Sequence, residues 1–159
     1  MKKITPFLWF DQNAEEAMNL YTSIFPDAEV LAVSRYGAGA PMPAGSVMTA
    51  TLRLADQEFT LLNGGPHFKL SEAFSFFVRC ADQEEVDYYW NALTADGGQE
   101  SRCGWLKDKF GVSWQIIPNA LMECLGDPDP ARASRSMQAM FGMNKIDIAV
   151  LRAAADGDQ

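Results

Sequence analysis

The sequence predicts an α+β fold in which one β-α-β-β-β unit is written twice and then followed by helices. Two observations carry this expectation. Strand-length apolar runs and single amphipathic helical segments follow the order strand, helix, three strands, and that order recurs. Shifting the numbering by 69 places Asn13 on Asp82, Glu15-Glu16 on Glu84-Glu85, and Ala17, Leu20, Tyr21 and Ile24 on Val86, Tyr89, Trp90 and Leu93. A helix cap, its glutamate and four apolar helix positions coincide, which marks an internal duplication. The same shift sets Phe7 on Phe76 and Trp9 on Val78.

The elements follow in order. Ile4 to Phe10 is an apolar, aromatic run expected as a strand, and Asn13 with Glu16 three residues on signals a helix start. Ala17, Leu20, Tyr21 and Ile24 give that helix its apolar face, and Pro26-Asp27 closes it. Val30 to Tyr36 is a strand. Gly37 to Gly45 (GAGAPMPAG) is a surface loop, because its Gly and Pro residues forbid regular structure. Ser46 to Leu54 and Glu58 to Asn63 are strands joined by a tight turn at Ala55-Asp56-Gln57. In the second copy, Gly97-Gly98 ends the helix and Ser101 to Lys107 is a strand. Asp108 to Gly111 is a turn and Val112 to Ile117 the last strand. After Pro118 come a short helix, Asn119 to Leu125, and two longer ones, Ala131 to Phe141 and Ile146 to Ala155. Their Met137, Met140 and Phe141, with Ile146, Val150 and Leu151, are expected in core or interface packing. The expected organisation is one domain over 1–159, with modules over about 1–66 and 72–118 and a helical extension over about 119–157.

Composition narrows the function classes. Thirteen basic against twenty-one acidic residues give a net charge of −8, and no Lys/Arg cluster is present to displace counterions, so nucleic acid is not an expected partner. The apolar runs fall far short of the ~20 residues a membrane helix needs. Met1-Lys2-Lys3-Ile4-Thr5-Pro6 lacks the pattern of an export signal, so a cytoplasmic location is expected. Cys80, Cys103 and Cys124 are odd in number and widely spaced, which fits free thiols rather than a disulfide framework or a zinc site. The only histidine, His67, lies in the Gly64-Gly65-Pro66-His67 loop and is a candidate general base.

Several stretches carry a resemblance: ITPFLWFDQNAEEAMNLYTSIFPDAEV, the hairpin GSVMTATLRLADQEFTLLNGGP, FSFFVRCADQEEVDYYWNALTADGG, CGWLKDKFGVSWQIIPNAL and the terminal MFGMNKIDIAVLRAA. Together they resemble the PhnB-like branch of the vicinal oxygen chelate superfamily, a branch often labelled 3-demethylubiquinone-9 3-methyltransferase. That resemblance implies two modules whose sheets form a half-barrel around one cavity, as in glyoxalase I, bleomycin-resistance proteins and extradiol dioxygenases. It also implies a divalent metal held by first- and last-strand side chains. Those positions fall here on Thr5 or Pro6, on Ser75, among Leu61, Leu62 and Asn63, and on Gln115, four residues after Gly111. Amides and hydroxyls do not offset the dehydration of a divalent ion, so the expected cofactor is none, or a weakly held metal.

The resemblance therefore points to a small-molecule enzyme or binding protein with Trp9, Phe76, Trp105 and Trp114 as pocket walls. Thr5, Asn63, Ser75 and Gln115 are the expected polar contacts. Core packing is the plainer reading of any single aromatic. A homodimer is expected, and an interaction module with a vestigial cavity is a further alternative. Methyl transfer lacks support, because the Gly37-Ala38-Gly39 stretch runs into Pro41 and Pro43 rather than into a helix.

Overall fold

A computed structural model describes residues 2–158. The chain divides into two compact units, Met1–Leu70 and Ser71–Gln159.

In the first unit β1 (Phe7–Phe10) leads into α1 (Ala14–Ile24), followed by β2 (Glu29–Arg35), β3 (Val47–Leu54) and β4 (Gln57–Asn63). The sheet runs β1-β4-β3-β2, with β1 parallel to β4 and the other neighbours antiparallel. Helix α1 buries Ala14, Ala17, Met18, Tyr21 and Ile24, the stripe that a 3.6-residue period aligns. The expected cap is corrected in its acceptor. The Asn13 side chain makes no capping bond, and the first helical amide, Ala14 N, donates instead to Asn63 Oδ1 at 2.9 Å.

The second unit repeats the plan with β5 (Ser75–Cys80), α2 (Gln83–Thr94), β6 (Gln99–Glu100), β7 (Trp105–Lys107) and β8 (Ser113–Pro118), in sheet order β5-β8-β7-β6. Here the expected cap holds, since Asp82 accepts from Glu85 N. The strand expected over Ser101–Lys107 covers only Trp105–Lys107, after a tight turn that separates it from the two-residue β6. Cys103 and Gly104 both take positive φ there, 59° and 86°, a conformation that a strand cannot contain. Three helices follow: α3 (Asn119–Leu125), α4 (Pro130–Phe141) and α5 (Ile148–Asp156). They enclose a small core of Ile117, Leu121, Cys124, Met143, Ile146 and Leu151, against which Met140 packs. Met137, Phe141 and Val150 stay exposed, so only part of the expected apolar stripe is packed. Among the described residues no helix is long and apolar enough to cross a membrane.

The duplication is real, but its register needs one correction. The helices align at the shift of 69, whereas the first strands, β1 and β5, align at 70. Leu8 and Phe10 are inward-facing in β1, while their partners at a shift of 69 would be Phe77 and Arg79, both exposed. A shift of 70 instead sets Phe10 on buried Cys80, exposed Phe7 on exposed Phe77, and Thr5 on Ser75. The cause is one fewer residue between strand and helix in the second copy. A one-residue slip moves every side chain of a strand to the other face.

Candidate functional site

Each sheet has one face packed by its helix and one left uncovered by it. In the second sheet, Cys80, Leu106, Trp114 and Ile116 are buried on the α2 side, where α2 inserts Val86, Tyr89, Trp90 and Leu93. Trp90 Nε1 reaches Glu100 Oε1 there at 2.9 Å. Strand register places Phe76 beside Trp114 and Leu106 in that layer, and the Phe76 and Trp114 rings lie 4.8 Å apart. Trp114 is 1% exposed and donates to Asp108 Oδ2 at 2.9 Å. Asp108 is itself buried and receives Phe110 N and Val112 N on its other oxygen, so one carboxylate fixes both the β7–β8 turn and the indole. Trp114 is therefore a core residue and Phe76 a partly buried one packed against it, both on the face opposite Gln115. The reason is the alternation of side chains along a strand, which sends neighbouring Trp114 and Gln115 to opposite faces of the sheet.

The uncovered face of the second sheet holds the other candidates. Ser75, Ser113, Lys107 and Gln99 form one row across β5, β8, β7 and β6, and Phe77, Gln115 and Trp105 form the next. Gln115 Nε2 donates to Ser75 Oγ at 3.0 Å. A hydroxyl both donates and accepts, so this pair holds the amide in either orientation. Lys107 Nζ is paired with Glu72 on the loop preceding β5. That contact holds the Glu72 carboxyl below its ordinary value. Ser113 is 2% exposed, and its Oγ is buried with no hydrogen-bond partner. A cleft of about 130 Å³ opens here, lined by Glu72, Gln99, Ser101, Trp105, Lys107 and Ser113. Sequence reasoning missed Lys107, Ser113 and Glu72. The alternation Trp105, Lys107 and Ser113, Gln115 held the signal, because it puts all four side chains on one face.

The first sheet carries hydroxyls on the face that α1 does not pack. Thr51 and Thr60 meet at 2.8 Å, and Ser34 and Thr49 at 2.6 Å. Trp9 lies in this layer with its indole over Gly64, where a Cβ would come within 2.3 Å of the ring. Its Nε1 donates to Gly65 O at 2.9 Å, and Phe68 meets it edge-on at 4.9 Å. Thr5 Oγ1 donates to Lys2 O, and His67 is exposed. Asn63 belongs to the interior. It is 2% exposed, accepts from Ala14 N and donates through Nδ2 to Val47 O at 3.0 Å. Both ends of its amide are committed to backbone. The repeat counterpart of Gln115 is therefore Thr60, since Phe7 pairs with Thr60 as Phe77 pairs with Gln115.

These donors do not fit a divalent metal. Thr60 is bonded to Thr51, Gln115 to Ser75, and Asn63 to the backbone. Among the described residues no group of three or more His, Cys, Asp or Glu converges to hold an ion. The Gly37–Gly45 loop links antiparallel β2 to β3 and does not open a helix, so it has no cradle for a cofactor phosphate or nucleoside.

The thiols differ sharply. Cys80 is fully buried, and burial first, then Glu85 and Asp82, pushes its thiol up to about 12. Only the thiolate is nucleophilic, so at pH 8 Cys80 stays inert. Cys124 is also buried, whereas Cys103 sits partly exposed in its turn. A maleimide added to native protein at pH 8 is therefore expected to modify a single thiol, Cys103, with the other two reacting only in denaturant. Intact-mass and peptide mapping would contradict this if Cys80 reacted at a comparable rate.

The fold defines a duplicated β-α-β-β-β protein in which each sheet has one face that its own helix does not pack. A family profile described as 3-demethylubiquinone-9 3-methyltransferase matches residues 2–117. The PhnB protein of Bacillus cereus is 38% identical, with 74% of this chain and 99% of that one covered and a TM-score of 0.68. The protein PA1353 of Pseudomonas aeruginosa has the same fold at 22% identity and a TM-score of 0.61, covering 74% of this chain and 98% of its own. No curated protein matches the chain. The chain belongs to the PhnB-like 3-demethylubiquinone-9 3-methyltransferase family. Helices α3–α5 lie beyond the family match, which ends at residue 117.

Proposed function

We propose that the chain binds a small organic molecule, without a tightly held metal, on the face of the second sheet that α2 leaves uncovered. The observation that carries this reading is the buried, unpartnered Ser113 hydroxyl in the cleft beside Lys107. Buried polar groups are satisfied in nearly all folded proteins, and leaving one unmade costs about 1–3 kcal/mol. A ligand atom would complete it. Trp105 supplies an aromatic side, and the Ser75–Gln115 pair a polar group that adapts to a donor or an acceptor. Methyl transfer, the activity in the family's description, is not part of this reading, because the glycine loop that could cradle its cofactor joins two strands.

A fragment screen followed by amide chemical shifts tests it. Hits are expected to move Ser75, Trp105, Lys107, Ser113 and Gln115 together, and Trp105→Ala to weaken them by up to about tenfold, the scale of one aromatic contact. Shifts scattered over other surfaces, or a stoichiometric divalent metal retained through purification, would overturn the reading.

A further inference from the structure

We infer that Lys107 and Ser113 form a seat for a ligand carboxylate, which the Glu72 side chain occupies as an internal stand-in until a ligand displaces it. This rests on the binding face proposed above and names the class of its ligand. Lys107 and Ser113 stand directly opposite each other across β7 and β8. Their Cβ atoms are therefore about 5 Å apart on one face, so the Lys107 ammonium on its flexible stem and the Ser113 hydroxyl can each meet one oxygen of a single carboxylate. The ammonium has a partner in Glu72, but the Ser113 hydroxyl has none. Glu72 fills half of the seat.

Displacement is easy for a physical reason. The Glu72 side chain is 61% exposed, and an ion pair so open to water is weak. A ligand carboxylate exchanges one such contact for an equivalent one and gains the buried hydrogen bond that Glu72 leaves unmade. The cleft, about 130 Å³ in volume, suits an acid of a few heavy atoms, with Gln99 and Ser101 along its side. A monoanion fits better than a dianion, because Lys107 is the one cation lining the cleft and Glu72 and Glu100 both border it.

The first repeat offers an internal comparison. There Arg53 takes the place of Lys107, with Glu29 bonded to it, and Glu58 takes the place of Ser113. Glu58 Oε2 is likewise buried without a partner. The first repeat thus has a carboxylate of its own where the second has a short hydroxyl and a cleft. The seat belongs to the second repeat.

Titration with sodium propionate at constant ionic strength, followed by amide chemical shifts, tests the inference. Saturable shifts are expected at Lys107 and Ser113. Glu72→Gln, which removes the competing charge, should tighten binding about two- to fivefold, the span an exposed ion pair permits. Lys107→Met should abolish saturation, and Ser113→Ala should weaken binding several-fold with the fold intact. Equal or weaker binding by Glu72→Gln, or unchanged binding by Lys107→Met, overturns the inference. Neutral benzyl alcohol, run in parallel, separates the two proposals. If it shifts Trp105 and Gln115 while propionate shifts nothing, the carboxylate seat falls and the binding face stands. If neither compound binds, both fall.

Discussion

Replacing Trp114 with alanine is expected to destabilise the second unit by about 3–5 kcal/mol, the range for emptying a buried aromatic site. For a protein of this size that lowers the melting midpoint by roughly 10–15 °C. Two losses combine. The ring is 1% exposed and packed against Phe76, so its removal leaves a cavity between sheet and helix. Its Nε1 also satisfies Asp108 Oδ2, and that buried carboxylate would lose a charge-assisted bond while still holding Phe110 N and Val112 N. Trp114→Phe separates the terms, since it keeps most of the ring and loses only the bond, at about 1–3 kcal/mol. Thermal melts check the magnitudes. Ligand affinity of Trp114→Phe should equal that of the parent, because this side chain faces α2; a variant that melted normally yet lost affinity would refute that placement.

The second large effect concerns Asn63. Asn63→Ala is expected to cost about 2–4 kcal/mol, because it orphans the Ala14 amide and the Val47 carbonyl together, each worth about 1–3 kcal/mol when buried and unpaired. No water-facing side chain replaces it, since Asn13 makes no cap of its own. Asn63→Asp keeps the acceptor for Ala14 N but turns a second oxygen towards Val47 O, so it should fall between alanine and parent at neutral pH. Chemical denaturation monitored by circular dichroism measures both. A loss under 0.5 kcal/mol for Asn63→Ala would show that the amide does not hold β4, β3 and α1 together.

Both residues read from sequence as ligand contacts, and the reason for the difference is physical. The helices were legible because caps and a 3.6-residue period leave little freedom: Asp82 and Glu85, and the stripe Val86, Tyr89, Trp90, Leu93, lie where the pattern puts them. Strand facing was less legible. The run Phe74-Ser75-Phe76-Phe77-Val78 is apolar at both parities, so alternation cannot say which side is inward. Only Arg79 beside Cys80 fixes it, and that pair requires a shift of 70. Asn63 gave no signal, because a buried amide that caps a helix 49 residues away has the same one-letter code as one that binds a ligand. Ser75 and Gln115, each a polar candidate in the sequence, are hydrogen-bonded to one another, a pairing that the sequence does not announce. Lys107 and Ser113 were readable in principle from period two, but only after the parity of β7 and β8 was set by the turn at Asp108–Gly111.

The tight turn at Cys103-Gly104 carries a further meaning. Cys103 N donates to Met143 O, Gly104 N to Asn144 O, and Gly104 O accepts Ile116 N, all at 2.8 Å. The link between α4 and α5 is therefore stitched by backbone to the start of β7, and Ile117 at the end of β8 is buried among α3 and α5. A chain cut at residue 117, where the family match stops, would lose two acceptors for buried or half-buried amides and expose that isoleucine. What looks in a family alignment like an appendage has become scaffolding: the strand that bears Trp105 and Lys107 is hung from it.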